Sequence, residues 1–217
     1  GQNNRTKYSS PVQIPGTTWG DVGGVKTDGT LWQWGDNDYG GLGQNDRTKY
    51  SSPVQIPGTT WKVAYGDIGE SSDIAHFAIK TDGTLWGWCR NDKGQLGVND
   101  TTDRSSPVQV PGTTWPTTGT NKFGYSSGYT VIAAIKTDGT LWMWGKNAHG
   151  QLGQGDTTHR SSPVQIPGTT WDITGGGNSS GIATKTDGTL WVWGYNAQGQ
   201  LGQGNNTNYS SPVQIPG

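Results

Sequence analysis

Apolar residues along this chain come in short bursts of alternating character, never in long runs. TLWQW, HFAIK, TLWGW, VIAAI and TLWMW each span five residues and are separated by stretches rich in Gly, Ser, Thr, Asn and Asp. Alternation with period two is the signature of a half-buried strand. Glycine or proline interrupts the chain so often that its longest free stretch is Glu70 to Asp82, too rich in Ser and Asp for a good helix. The pattern predicts an all-β fold.

The bursts recur. KTDGTLWxWG appears four times, at Lys26, Lys80, Lys136 and Lys185, and in the second copy Cys89 replaces its final glycine. A second block, SSPVQ(I/V)PG, appears five times, and its prolines at 11, 53, 107, 163 and 212 are spaced by 42 to 56 residues. Such periods belong to stacked blades.

In the second copy, four strand-sized pieces follow one another: Thr59 to Tyr65, His76 to Lys80, Thr84 to Trp88 and Pro107 to Val110. Thr81-Asp82-Gly83 supplies a turn between the middle pair, because Asp-Gly tolerates the positive φ that tight hairpins need. A proline at the start of the fourth piece suits an outer edge, where no neighbour needs its missing N–H. Four antiparallel strands per repeat make the blade of a β-propeller. The expected division is a surplus outer strand and linker at 1–18, a truncated first blade at 19–58, and blades at 59–112, 113–168 and 169–217. The first blade is short because seven residues separate Trp19 from Lys26, against nineteen from Trp61 to Lys80.

The third copy, AAIKTDGTLWMWGKNAHGQLGQGDTTHRSSPVQIPGTTW, resembles the repeat of the regulator of chromosome condensation family, whose marks are W-x-W-G, N-x-x-G-Q-L-G and S-S-P-V. The resemblance covers essentially the whole chain. It implies a propeller, typically of seven blades, in a family of nucleotide exchange factors, interaction platforms and secreted bacterial inhibitors. The close likeness of the copies to one another resembles bacterial or phage-encoded members. Four repeats leave three arrangements open: a closed four-blade ring, an open arc, or a segment of a larger propeller. The surplus strand and the initial Gly1 favour a longer array over a strand offered to a neighbouring molecule.

Composition narrows the function. Fifteen Lys and Arg against sixteen Asp and Glu give a net charge of -1, so nothing favours a nucleic-acid or anionic-membrane partner. No apolar run approaches a membrane span. Twelve tryptophans argue for a packed chain rather than a disordered one. In each W-x-W pair the two indoles point to one face, where packing between blades explains them more simply than stacking on sugars or bases.

A catalytic centre is asymmetric, so its residues should break the repeat. The repeated Asp28, Asp82, Asp138 and Asp187 read as turn residues. His76, His149 and His159 form no metal-binding spacing, and Cys89 has no nearby histidine base. The GQLGQG turns lack the Lys-Ser/Thr of a phosphate loop. No enzyme activity, cofactor or metal is expected.

Variation between copies points instead to loops. The connections from first to second strand, 66–73, 117–130 and 174–181, differ in length and content. Within them Lys122, Phe123, Tyr125 and Tyr129 are the leading binding candidates, with Glu70, Asp73 and Asn178 on the neighbouring connections. A second variable set follows W-x-W-G, including Asp36, Asp38, Tyr39, Arg90, Asp92, Lys93, Lys146, His149, Tyr195 and Gln198, and is expected on the opposite rim. The reading is a non-enzymatic scaffold that binds a protein partner or self-assembles, in an extracellular or virion setting. A lectin that takes carbohydrate between blades is the alternative.

Overall fold

The computed structural model describes the chain except residues 1, 4, 5, 8, 21–23, 66–73, 118–121, 126–129, 177, 178 and 217. The described residues form fourteen strands: β1 (Leu31–Gly35), β2 (Tyr50–Ile56), β3 (Trp61–Tyr65), β4 (His76–Lys80), β5 (Leu85–Cys89), β6 (Arg104–Gln109), β7 (Phe123–Tyr125), β8 (Val131–Ile135), β9 (Leu141–Gly145), β10 (Arg160–Gln165), β11 (Trp171–Gly176), β12 (Ser180–Lys185), β13 (Leu190–Gly194) and β14 (Tyr209–Gln214). They form three four-stranded antiparallel sheets, β3–β6, β7–β10 and β11–β14, preceded by a two-stranded sheet, β1–β2. These are blades two, three, four and one. Among the described residues, the inner part of the first blade is marked by the bridges Trp19 to Lys26 and Val25 to Leu31.

Each residue of the KTDGTLW block has a local task. In blade two, Asp82 accepts from the backbone N–H and the hydroxyl of Thr84 (3.0 and 2.7 Å), and that hydroxyl accepts from the Trp86 indole at 2.9 Å. The Lys80 ammonium lies between two rings, 4.8 Å from the centre of Trp61 and 4.2 Å from that of Trp86. The same hydrogen bonds and the same Trp–Lys–Trp sandwich recur in all four blades. Both partners of each cation–π pair are thereby held by a contact worth about 0.5–2 kcal/mol.

The core is a series of seams between successive blades. Val25, Leu31 and Ile56 of blade one pack on Trp61, Ala78 and Trp88 of blade two. Phe77, Ile79, Leu85 and Val110 meet Trp115, Ile132 and Trp144. Ala133, Ile135, Leu141 and Ile166 meet Trp171, Ala183 and Trp193. In blades two, three and four the second indole of the W-x-W pair therefore faces the preceding blade, and its Nε1–H donates there: Trp88 to the Gly41 carbonyl (2.7 Å), Trp144 to Gln95 (2.8 Å) and Trp193 to Gln151 (2.8 Å).

Two backbone bonds tie each seam at its edges. The amides of Trp61, Trp115 and Trp171 donate to the carbonyls of Gly29, Gly83 and Gly139 in the preceding turns, and those of Asn45, Asn99 and Gly155 donate to Ser105, Ser161 and Ser210. At the second contact the approach is close enough to demand glycine. A Cβ on Gly40, Gly94 or Gly150, all at positive φ, would come within 2.6 Å of the serine Cα in the next blade.

Four blades make an open arc. Trp34 is half-buried where Trp88, Trp144 and Trp193 are at most 1% exposed, and its indole N–H makes no hydrogen bond among the described residues. At the other end, a Cβ on Gly188 would meet nothing within 4 Å, whereas its counterparts at Gly29, Gly83 and Gly139 face the next blade.

Candidate interaction surface

Strand direction decides where the variable loops gather. In blade two β3 ends at Tyr65, β4 begins at His76, β5 ends at Cys89 and β6 begins at Arg104, all at one end of the sheet. Both variable connections, first-to-second and third-to-fourth, thus leave from the same rim. Backbone bonds from Lys146 to Thr130 and from Tyr195 to Ser179, each 2.7 Å, join the two sets directly. The expectation that they ring opposite rims is corrected by this parity: in an antiparallel four-strand meander, alternate connections share an end. The other rim carries the repeated Asp-Gly turns and GTTW corners.

The third-to-fourth connections are built on one buried asparagine per blade. Asn91 is fully buried; its Oδ1 accepts from the Leu96 amide (2.9 Å), and its Nδ2 donates to the carbonyls of Asp100 and Thr102 (3.0 and 3.1 Å). Asn37 and Asn147 repeat the arrangement, and Asn196 repeats most of it. Sequence reasoning assigned these residues no role, although the repeated N-x-x-G-x-L-G carried the signal: a polar residue invariant across blades is one whose bonds the blade requires.

Around these anchors lie charged and aromatic contacts, and two of the ring contacts cross from blade to blade. Lys49 holds Asp36 and Asp38, each at 2.9 Å. Its hydrogen bond keeps the Asp36 carboxyl below the ordinary range against the opposing effect of burial, and the two carboxylates raise the lysine. The Arg90 guanidinium pairs with Asp92 at 3.1 Å and lies 5.7 Å from the centre of the Tyr39 ring in blade one. Burial would lift the Asp92 carboxyl, yet hydrogen bonds from Gln95, Lys93 and Arg90 bring it below its ordinary value. His149 of blade three packs on Tyr195 of blade four, ring centres 4.9 Å apart.

The loop candidates separate. Lys122 bridges blades three and four through Asp172 at 2.5 Å. Phe123 is 5% exposed, stacked on Tyr65 at 4.4 Å and tilted against Phe77 at 5.4 Å, so its ring belongs to the seam between blades two and three. Tyr125, two residues on, is exposed. Glu70, Asp73, Tyr129 and Asn178 lie outside the described residues.

No group of three or more His, Cys, Asp or Glu side chains that could hold a metal occurs among the described residues, and no helix there is long and apolar enough to cross a membrane. Clefts of about 560 and 520 Å³ open beside blades one and two and beside blades three and four, on the rim of repeated turns. Both are walled by the same Lys-Thr-Asp-Gly and Thr-Thr-Trp residues, so they are by-products of the repeat and not an asymmetric site.

Comparison with known proteins adds a family. The model of the regulator of chromosome condensation (RCC1) repeat matches residues 28–67, 82–116, 138–182 and 187–217. Each matched unit starts at an Asp-Gly turn, so the repeat is offset from the sheet. An RCC2 homolog of Danio rerio is 42% identical over 80 residues, 37% of this chain and 15% of that protein. The ultraviolet-B receptor UVR8 of Arabidopsis thaliana is 34% identical over 92 residues, 42% of this chain and 20% of the relative. The chain thus spans a fifth or less of these two relatives. Among solved structures, Prp20p of Saccharomyces cerevisiae, described with its binding to Gsp1p and histones, superposes with a TM-score of 0.67 at 17% identity, covering 89% of this chain and 48% of that one. These relatives are eukaryotic, which overturns the expectation of an extracellular or virion-associated protein and leaves the bacterial or phage reading without support.

Proposed function

Because the chain belongs to the regulator of chromosome condensation repeat family, we propose that it is a non-enzymatic scaffold whose variable rim binds a protein partner. One observation carries this reading: differences between blades converge on a single rim, while the opposite rim repeats the same turn four times. A scaffold that varied for packing alone would scatter its differences over both ends. Variation confined to loops on a rigid frame is the arrangement of a recognition surface.

The rim offers mixed charge, with Asp36, Asp38, Arg90, Asp92, Lys93 and Lys146, and ring surface from Tyr39, Tyr125, His149 and Tyr195. Such a surface suits a folded protein of mixed charge better than a polyanion, which would want one sign only. Tyr125 is the described loop candidate with surface to offer; Lys122 contributes by holding its connection to blade four. The loop residues Glu70, Asp73, Tyr129 and Asn178 belong to the same proposed surface by their place in the chain.

The carbohydrate alternative has less to draw on. Trp32, Trp86, Trp142 and Trp191 are half-buried, each with a lysine ammonium over its ring, so they present no free stacking platform.

The test is an affinity capture from lysate with three proteins: the chain as it stands, a rim variant (Arg90→Glu, Tyr125→Ala, Tyr195→Ala), and an opposite-rim variant (Thr81→Ala, Thr137→Ala). Captured partners should be lost only with the first variant. Partners retained by the rim variant and lost by the other would refute the proposal.

A further inference from the structure

Blades two and three carry the same connection on the variable rim and charge it differently. Each is built on its buried asparagine, Asn91 or Asn147, whose side chain makes the same bonds to a leucine amide and two loop carbonyls. In each, the residue twelve positions on receives the asparagine's own amide: Asp103 Oδ1 at 2.8 Å in blade two, His159 Nδ1 at 3.0 Å in blade three. The frame is shared, so side chains at matching positions answer to one another directly.

In blade two every cation of the connection is met within the blade. Arg90 and Lys93 both pair with Asp92, and Arg104 pairs with Asp100. Blade three keeps a cation before its asparagine, Lys146, but has Ala148 where Asp92 stands and His159 where Asp103 stands. Its one carboxylate, Asp156, is held by Arg160 at 2.5 Å. Lys146 is therefore left with no ion pair among the described residues. Blade one's connection carries Asp36, Asp38 and Asp46 against Arg47 and Lys49, and blade four's, from Tyr195 to Tyr209, has no charged residue. Of the four connections, that of blade three is the one with surplus positive charge.

Its spare donors are neighbours. Lys146 directly precedes the amide that His159 receives, so the imidazole lies beside the lysine's backbone. A ring nitrogen that accepts a hydrogen bond carries no proton, which leaves Nε2–H as the donor of this exposed ring. The buried Asn147 fixes the backbone beneath both, so little ordering entropy remains to be lost on binding. Toward blade four, His149 packs on Tyr195 and supplies a flat apolar border.

We propose that the connection of blade three receives an acidic side chain of the protein partner, its carboxylate taken by the Lys146 ammonium and the His159 Nε2–H. The partner supplies there the carboxylate that Asp92 supplies within blade two. A charge-assisted contact at this half-exposed place sets orientation and encounter rate more than total affinity. The inference rests on the variable rim being the recognition surface and names the chemistry recognised at one part of it.

The test is an NMR titration of the labelled chain with a peptide of alternating Glu and Gly, against a Gln–Gly peptide of equal length. The Glu peptide should shift the Lys146 and His159 side-chain resonances saturably, less so at high salt, and the Gln peptide should not. Ala148→Asp restores to blade three the carboxylate of blade two and touches no proposed contact. It should weaken binding of the Glu peptide about fivefold, with an unchanged circular dichroism spectrum because Ala148 is exposed. The pair Asp92→Ala and Asp103→His should give blade two a second site, seen as new shifts at Arg90. Shifts spread evenly over the lysines of the chain, equal response to both peptides, no response at all, or binding unaffected by Ala148→Asp would each overturn the proposal. Should the Glu peptide fail while the rim variant still loses its captured partners, the scaffold reading stands and only the acidic contact falls.

Discussion

Cys89 stands at a φ of +85° where Gly35, Gly145 and Gly194 stand in the other blades at +109°, +101° and +96°. A side chain in this region costs about 1–2 kcal/mol, while the fully buried Cys89 side chain returns the burial of a methylene and a thiol, about 1–1.5 kcal/mol. Cys89→Gly is therefore expected to be neutral or to stabilise by up to about 1 kcal/mol, read from the urea midpoint; a loss of more than that would show that the sulfur does more than fill space. The four turn aspartates give a second prediction. Hydrogen bonds from the following threonine hydroxyl, then from its amide, hold Asp28, Asp82, Asp138 and Asp187 below their ordinary value of 3.8. A carboxyl depressed in the folded state contributes stability that is complete above the ordinary value and lost as pH falls through the folded one. Stability should thus be flat near neutrality and decline below about pH 4. Replacing all four by Asn, which keeps the acceptor and loses the charge, should flatten that decline, and an unchanged acid profile would assign it to other carboxylates.

At the scale of elements, the connection after W-x-W-G depends on its buried asparagine. Asn147→Ala leaves the Leu152 amide and the carbonyls of Asp156 and Thr158 without their partner. Unmet buried groups cost about 1–3 kcal/mol each, so a loss of roughly 3 kcal/mol is expected in chemical denaturation, and a loss below about 1 kcal/mol would mean that water replaces the amide. Strands were readable from the chain because alternation and turn chemistry agree: the second strand of blade two lies at His76–Lys80, where HFAIK stands. The fourth strand begins earlier than its proline suggested, at Arg104, because Cys89 pairs with Arg104 across a bulge before regular pairing reaches Val108. The shared rim escaped a linear reading, since it follows from the parity of strand directions, and no single loop carries it. Phe123 escaped for a related reason. Its burial depends on Tyr65 and Phe77 of another blade, some fifty residues away, and its Ser- and Gly-rich surroundings say nothing of that.

For the molecule as a whole, one contact set is repeated at three seams and left open at both ends. The family likeness was legible in W-x-W-G, N-x-x-G-Q-L-G and S-S-P-V, because those residues make the seams. The order of the ends was not, since near-identical repeats do not reveal which face meets which neighbour. The most direct test is hydrogen exchange at the assigned tryptophan indole N–H groups. Trp88, Trp144 and Trp193 should exchange slowly and together, with Trp34 much faster. Equal protection of all four would mean that the first and fourth blades meet, and the open arc would be wrong.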